Sequence, residues 1–574
     1  MKNLKSSKHS TSKVFCIFIL LSVQLSAIVA QQTTVFGQFM PPVFTRQDTL
    51  KGSITPERGW WDVVYYYIDV AVNPSDSTVK GSNAIVYKVL TSGSIMQIDL
   101  HEPMRIIRIV QDAKELTFER EGNVYWVQMS DNQTVGNINS IIVDFEGRPP
   151  VSTRPPWISG FTWSHDSKGT PFVANANQGD GASVWLPCKD HAYDEPDSML
   201  ISVTVPENLM NVSNGRLRGV TMNSYKTKTF NWFVANPINN YGINVNIADY
   251  AHFSEVFQGE EGRLDCDYYV LKENLEKAKE HFKQVPMMLK AFEHWFGKYP
   301  FYEDGYKLVE APYLGMEHQS SVTYGNGYRN GYRGMDLSDS GWGLKFDYII
   351  IHESGHEWFA NSITHKDVAD MWVHESFTSY SESLYLEYHY GKEAGRDYVL
   401  GTRRSIRNDR PIVGIYDVNF SGSGDMYYKG ANMLHTLRQI VDDDEKWRSI
   451  LRDMNTRFYH KVVTGAEIEN FLGETTGFDL TGFFNQYLRD ARIPVFEYYV
   501  KGNELMYRWN NCVDGFDMPV RIFVAGKPLN INPTTTYDTI KLEVDNPDIK
   551  VDTNYYVGTL NITGTYYQLI TFDL

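Results

Sequence analysis

His352-Glu353-Ser354-Gly355-His356 is the stretch whose reading organises this chain. On a helix, histidines at i and i+4 project from one face, close enough to bind a single metal ion, with Glu353 held beside it. A catalytic zinc needs a third protein ligand and one open position. Glu375 fits that role. It follows His356 after 18 intervening residues, in Trp372-Val373-His374-Glu375-Ser376-Phe377, where a second helix can return its carboxylate to the ion.

The rest of the chain sets the context. At 574 residues and 66.0 kDa it is too long for one hydrophobic core, and length alone predicts about three or four domains. With 42% hydrophobic and 14% aromatic residues it has a globular composition, which excludes a disordered chain. Lys2, Lys5, Lys8 and Lys13 precede the apolar run Val14 to Leu25 and the small-residue stretch Ser26 to Ala30, so residues 1–30 read as a secretory signal peptide. Export to the periplasm or the exterior is the expectation. Three cysteines beyond that segment, Cys188, Cys266 and Cys512, exclude a disulfide framework and a Cys-rich zinc cluster. A formal charge of -16 without a basic cluster argues against nucleic acid and against a stable partnership with anionic membrane.

Strand-like patterning runs from about Trp60 to Tyr250, within a domain expected over residues 31–250: Val63 to Val72, Asn83 to Val89 and Ile95 to Leu100 are rich in Val, Ile and Tyr and are punctuated by turn formers. These predict an antiparallel β-domain. Helical spacing then takes over, in Leu275, Ala278 and Phe282, in Met288, Phe292 and Trp295, and in Ile440 to Phe458 and Ala466 to Leu472. Residues 251–492 are thus expected to form a mostly helical domain that carries the metal motif. Alternation returns in Phe496 to Val500, Val520 to Val524 and Ile540 to Val544, so 493–574 are expected to form a small β-sandwich-like domain. The fold class is multidomain α+β.

The motifs resemble those of the M1 aminopeptidases, the gluzincin family that includes aminopeptidase N and leukotriene A4 hydrolase. HExxH and a Glu 18 residues later in an NEGF-like segment are that family's zinc motif, matched by His352, Glu353, His356 and Glu375, and Trp358-Phe359-Ala360-Asn361 resembles its WFGN continuation. His374 and Ser376 depart from NEGF, but neither removes a ligand. Leu314-Gly315-Met316-Glu317-His318 resembles the GxMEN exopeptidase signature, which makes Gly315, Met316 and Glu317 substrate-binding residues, with Glu317 holding the free α-ammonium. Tyr427-Tyr428-Lys429-Gly430 resembles YxKG, whose first Tyr donates to the tetrahedral intermediate. Gln178, upstream of Leu186-Pro187-Cys188, matches a Gln that contacts the amine end. Asp194-Glu195-Pro196 and Gly297-Lys298-Tyr299-Pro300-Phe301 extend the likeness across most of the chain, and the large C-terminal helical domain of longer relatives is not expected here.

The resemblance implies a thermolysin-like catalytic domain with one zinc ion per chain, acting on peptides with a free N-terminus. Glu353 is then the general base toward zinc-activated water and Tyr427 the oxyanion donor. Three other readings share the scaffold: a thermolysin-like endopeptidase, an epoxide hydrolase on the same zinc, and a non-catalytic peptide-binding protein. The last has no reason to keep His352, Glu353, His356 and Glu375 together.

Overall fold

A computed structural model describes residues 42–130 and 133–563, and the expected signal peptide lies outside them. The N-terminal half is built on an eight-stranded sheet. From edge to edge its strands are Arg216–Met222, Thr227–Val234, Ser198–Pro206, Trp61–Asn73, Thr78–Val89, Ile138–Gly147, Arg105–Gln111 and Lys114–Glu115. The sequence predicts an antiparallel sheet. One pairing departs from this: Trp61–Asn73 runs parallel to Ser198–Pro206, because more than 100 residues separate the two strands and the chain re-enters in the same direction. A four-stranded and a three-stranded sheet complete the domain, over a core that includes Trp61, Tyr66, Ile85, Trp185 and Trp232.

The middle of the chain opens on the hairpin Tyr250–Gly259 and Gly262–Leu271, which starts a five-stranded mixed sheet. That sheet ends at a two-residue edge strand, Gly315–Met316, paired antiparallel with Val322–Tyr324. Helices then dominate: Gln284–Phe296, Tyr348–Gly355, Trp372–Tyr390, Tyr428–Val441, Asp444–Arg457, Gly465–Thr476 and Thr481–Arg489. Pro286 sits in the first turn of its helix, where a missing N–H costs nothing. The helical pattern from Ile440 to Phe458 is two helices rather than one. Asp442 adopts a left-handed conformation (φ 53°) that ends the first, and the Asp443 side chain caps the second.

The C-terminal region forms a four-stranded and a three-stranded sheet. Val495–Lys501 and Val520–Val524 match the sequence reading, whereas Ile540 to Val544 is strand only as far as Lys541. Trp509, Phe516, Tyr555 and Tyr556 share one core with Tyr487 and Leu488 of the helical region, so this β-region is fused to the helices instead of being tethered to them. Among the described residues no helix is long and apolar enough to cross a membrane, and Cys188, Cys266 and Cys512 are free thiols.

Asparagines of the N-terminal domain grip the segment that follows the edge strand. Asn214 Nδ2 donates to Gln319 O (2.7 Å), Asn244 Nδ2 to Ser321 O (3.0 Å), and Ser320 Oγ accepts from Gly215 N (2.9 Å). Buried amide pairs with fixed directions set the position of Glu317 relative to both domains.

Candidate functional site

The helix Tyr348–Gly355 begins at Asp347, whose carboxylate accepts from Ile349 N (2.9 Å) and Ile350 N (3.3 Å), an N-cap that fixes the helix at its buried end. Its residues are all buried, so His352 and Glu353 are held between layers of protein. His356 closes the helix. Beyond it the chain makes a wide turn in which Phe359 (φ -120°, ψ 81°) and Ala360 (φ 150°, ψ -52°) leave helical geometry. That bend aims Phe359 O at His356 Nδ1 (2.9 Å) and so turns Nε2 the other way. Glu375 occupies the first turn of Trp372–Tyr390, a helix buried from Trp372 to Leu386.

These elements bring His352, His356 and Glu375 together. Glu375 Oε2 lies 3.6 Å from His352 Nε2 and 3.5 Å from His356 Nε2. A tetrahedral ion with bonds of roughly 2.0–2.2 Å separates its ligands by about 3.3–3.6 Å, so the spacing suits zinc. Glu375 Oε2 is also a buried oxygen without a hydrogen-bond partner, as a metal ligand would be. Its other oxygen, Oε1, accepts from the Tyr427 hydroxyl at 2.9 Å. Carboxylate oxygens of Glu317 and Glu353 lie within 4.8 Å of a His356 nitrogen, so the ion's surroundings are acidic.

Sequence reasoning missed the groups behind the two histidines. His352 Nδ1 donates to Glu382 Oε1 (2.7 Å), and Glu382 Oε2 accepts from the Tyr398 hydroxyl (2.6 Å). Thr378 Oγ1 stands 3.1 Å from His356 Nδ1. A carboxylate behind a ligating imidazole fixes its tautomer and raises its basicity. The one available signal was that Glu382 lies two helical turns beyond Glu375, on the same face.

The remaining predicted residues fall as follows. Gln178 and Glu317 line the cavity beside Glu375, with Gln178 Nε2 3.5 Å from Glu317 Oε1. Gly315 serves Glu353 sterically: a Cβ there would come within 3.2 Å of the Glu353 side chain and 2.5 Å of Ile349. Met316 is buried among Ala174, Ala176, Ala311 and Tyr313, and does not line the cavity. Tyr427 reaches Glu375, and its ring stacks 6.0 Å from His352. Tyr428 turns toward Tyr348 instead. The departures have local partners. His374 packs on His365, with the two rings 4.0 Å apart, Ser376 fits against Gly430, where a Cβ would lie 2.0 Å from its hydroxyl, and His318 is buried against Thr323.

Burial pushes Glu353 up to about 8, opposed by His352. Burial also raises Glu317, with His356 drawing it back. Tyr427 is held well above its ordinary value by burial and by Glu375, so it remains a proton donor. The buried carboxylates of Glu317 and Glu375 line one cavity, with Glu353 close to Glu317 and His356, and the cavity's lysine, Lys51, is already paired with Asp190 at 2.5 Å. Such a site is made for cations.

Residues 281–487, which include every metal-site residue named above, match the family model described as peptidase family M1 domain. The chain carries a peptidase family M1 domain. It is similar to aminopeptidase N of Lactococcus lactis subsp. lactis (24% identical over 277 residues, 45% of this chain and 32% of that protein). It is also similar to probable aminopeptidase 1 of Sulfurisphaera tokodaii (21% over 414 residues, 68% and 50%) and to leukotriene A-4 hydrolase of Xenopus laevis (21% over 444 residues, 73% and 68%). The chain spans a third to a half of the length of the first two. Among solved structures, an M1 zinc metallopeptidase variant from Deinococcus radiodurans bound to a Tyr-Ser-Ala substrate superposes with a TM-score of 0.63 at 19% identity. The superposition covers 77% of this chain and 97% of that one, which shows that the two share the M1 fold.

Proposed function

We propose that this protein is a zinc-dependent aminopeptidase that removes the first residue of peptides with a free N-terminus. The observation that carries the reading is the partnerless Glu375 Oε2, placed 3.5–3.6 Å from two imidazole nitrogens and beside two further buried carboxylates. The acidic groups Glu317 and Glu375 of this cavity, with Glu353 near them, suit a metal ion and an ammonium group. His352, His356 and Glu375 would hold one zinc per chain. When bound, that ion supplies Lewis acidity toward water and toward the scissile carbonyl.

Glu353, buried and not a ligand, takes the proton of the attacking water and delivers it to the leaving amine. Glu317 and Gln178 hold the α-ammonium and thereby fix which peptide bond reaches Glu353. Tyr427 is the oxyanion donor, its hydroxyl moving from Glu375 to the developing charge. Residues 1–30 direct export. The test is a panel of aminoacyl chromogenic amides, each with a free and with an acetylated amine, assayed with and without zinc removal. Zinc-dependent cleavage of the free-amine members alone is the expected result. Equal cleavage of both sets would favour an endopeptidase, and cleavage of neither a binding protein.

A further inference from the structure

Among the other polar groups of the cavity wall is Tyr241, contributed by the N-terminal domain. It sits in the short turn Asn240–Gly242, and its neighbours pin that turn from several sides. Asn239 Nδ2 donates to Asn361 Oδ1 (3.4 Å), Asn177 Nδ2 to Tyr241 O (3.2 Å), Asn240 Nδ2 to Lys189 O (2.6 Å) and Asn214 Nδ2 to Gly242 O (2.8 Å). The ring stacks over His374 at 6.4 Å, with 25° between the planes. Its direction is therefore fixed.

The Tyr241 hydroxyl is buried and has no hydrogen-bond partner. Gln178, Glu317 and Glu375 line the same cavity wall, and the charges that act on the hydroxyl are the carboxylates of Glu317, Glu375 and Glu195. A sealed, unpaired hydroxyl destabilises the protein, and a phenylalanine ring would fill the same space without that cost. Stability does not account for this oxygen. An α-ammonium carries three N–H donors and accepts nothing, so full pairing needs three acceptors. The Glu317 carboxylate is one. Gln178 supplies another, its amide nitrogen facing Glu317 and leaving its oxygen free to accept.

We propose that the phenolic oxygen of Tyr241 is the third acceptor for the substrate's α-ammonium, while its own O–H donates to Glu317. The inference rests on the aminopeptidase reading and sharpens it. A site with three acceptors selects primary amines, because an N-methylated or prolyl terminus offers two N–H groups and leaves one acceptor unmet.

The experiment compares the zinc-loaded protein with its Tyr241→Phe variant on L-alanine p-nitroanilide and N-methyl-L-alanine p-nitroanilide. Binding of alanyl-alanine and its N-methyl form to Glu353→Gln protein, with and without Tyr241→Phe, is measured by calorimetry. Loss of a hydrogen bond to a charged group predicts a fall of about 10- to 100-fold in kcat/KM for the primary amine, carried mainly by KM. The N-methyl substrate should change less than about 3-fold, and dipeptide affinity should follow the same split. Zinc content and the melting temperature should not fall. Equal losses on both substrates, or no loss on the primary amine, overturn the assignment. If the wild-type protein cleaves neither amide, the aminopeptidase reading itself fails, which is a different result from an unselective Tyr241→Phe.

Discussion

Replacing Glu382 by glutamine tests whether the buried carboxylate behind His352 tunes the metal site. Glu382 now satisfies two donors, His352 Nδ1 at 2.7 Å and the Tyr398 hydroxyl at 2.6 Å, with one oxygen for each. The Glu382→Gln side chain would keep one oxygen. Facing it toward His352 preserves that bond but replaces a charge-assisted acceptor by a neutral one and presents an NH2 to Tyr398, whose hydroxyl can rotate to accept it. The shape is retained and the charge is lost. A weaker acceptor leaves the imidazole less basic, and loss of such a group typically lowers metal affinity about 10- to 100-fold, equivalent to roughly 1.4–2.7 kcal/mol. The assay is competition for zinc against a chromogenic chelator, followed by activity at saturating zinc, where kcat should largely recover. Zinc affinity within twofold of the wild-type protein would refute the reasoning. So would loss of kcat that excess zinc does not restore.

Three further outcomes are expected. Glu353→Gln should retain zinc and lose at least about 100-fold in kcat, whereas His352→Ala should lose both, as metal analysis beside the amide assay would reveal; a zinc-free His352→Ala protein with full activity would remove the assignment. Ala360→Gly should stabilise the protein by about 1 kcal/mol, raising the melting temperature by roughly 2 °C, because Ala360 sits at φ 150°, a region open to glycine. No rise would show that the wide turn stores no strain. Glu195 is pushed up to about 8 by burial from an ordinary 4.5, and its Oε1 has no partner. The folded state therefore binds an extra proton between those values, and stability is lost as pH rises through that window. Glu195→Gln mimics the protonated acid, so its melting temperature should gain on the wild type from pH 5 to pH 8; a constant difference would place the proton elsewhere.

The helical pitch made much of the metal site readable. Two histidines four residues apart must share a face, and a Glu after 18 further residues can return once the chain reverses, so the convergence of His352, His356 and Glu375 was open to a reading from spacing, with the family resemblance singling out that Glu. Strand alternation likewise marked both β-regions, since a half-buried strand repeats every two residues. The wide turn at Ala360 left no such mark, because its conformation departs from what the residue itself prefers.

What the sequence by itself determined about this protein is therefore local: which residues face together along one helix, and where the period changes. Only the tertiary structure decided the rest. It set Glu382 behind His352, gave the C-terminal strands a core in common with the helices, made one pairing of the eight-stranded sheet parallel, and put Tyr241 of the N-terminal domain in the same cavity wall as Glu317. The physical reason is that periodicity records a residue's position within its own element. Contacts between elements depend on how layers far apart in the chain pack, and a single Glu or Tyr carries no sign of the partner that packing will bring to it.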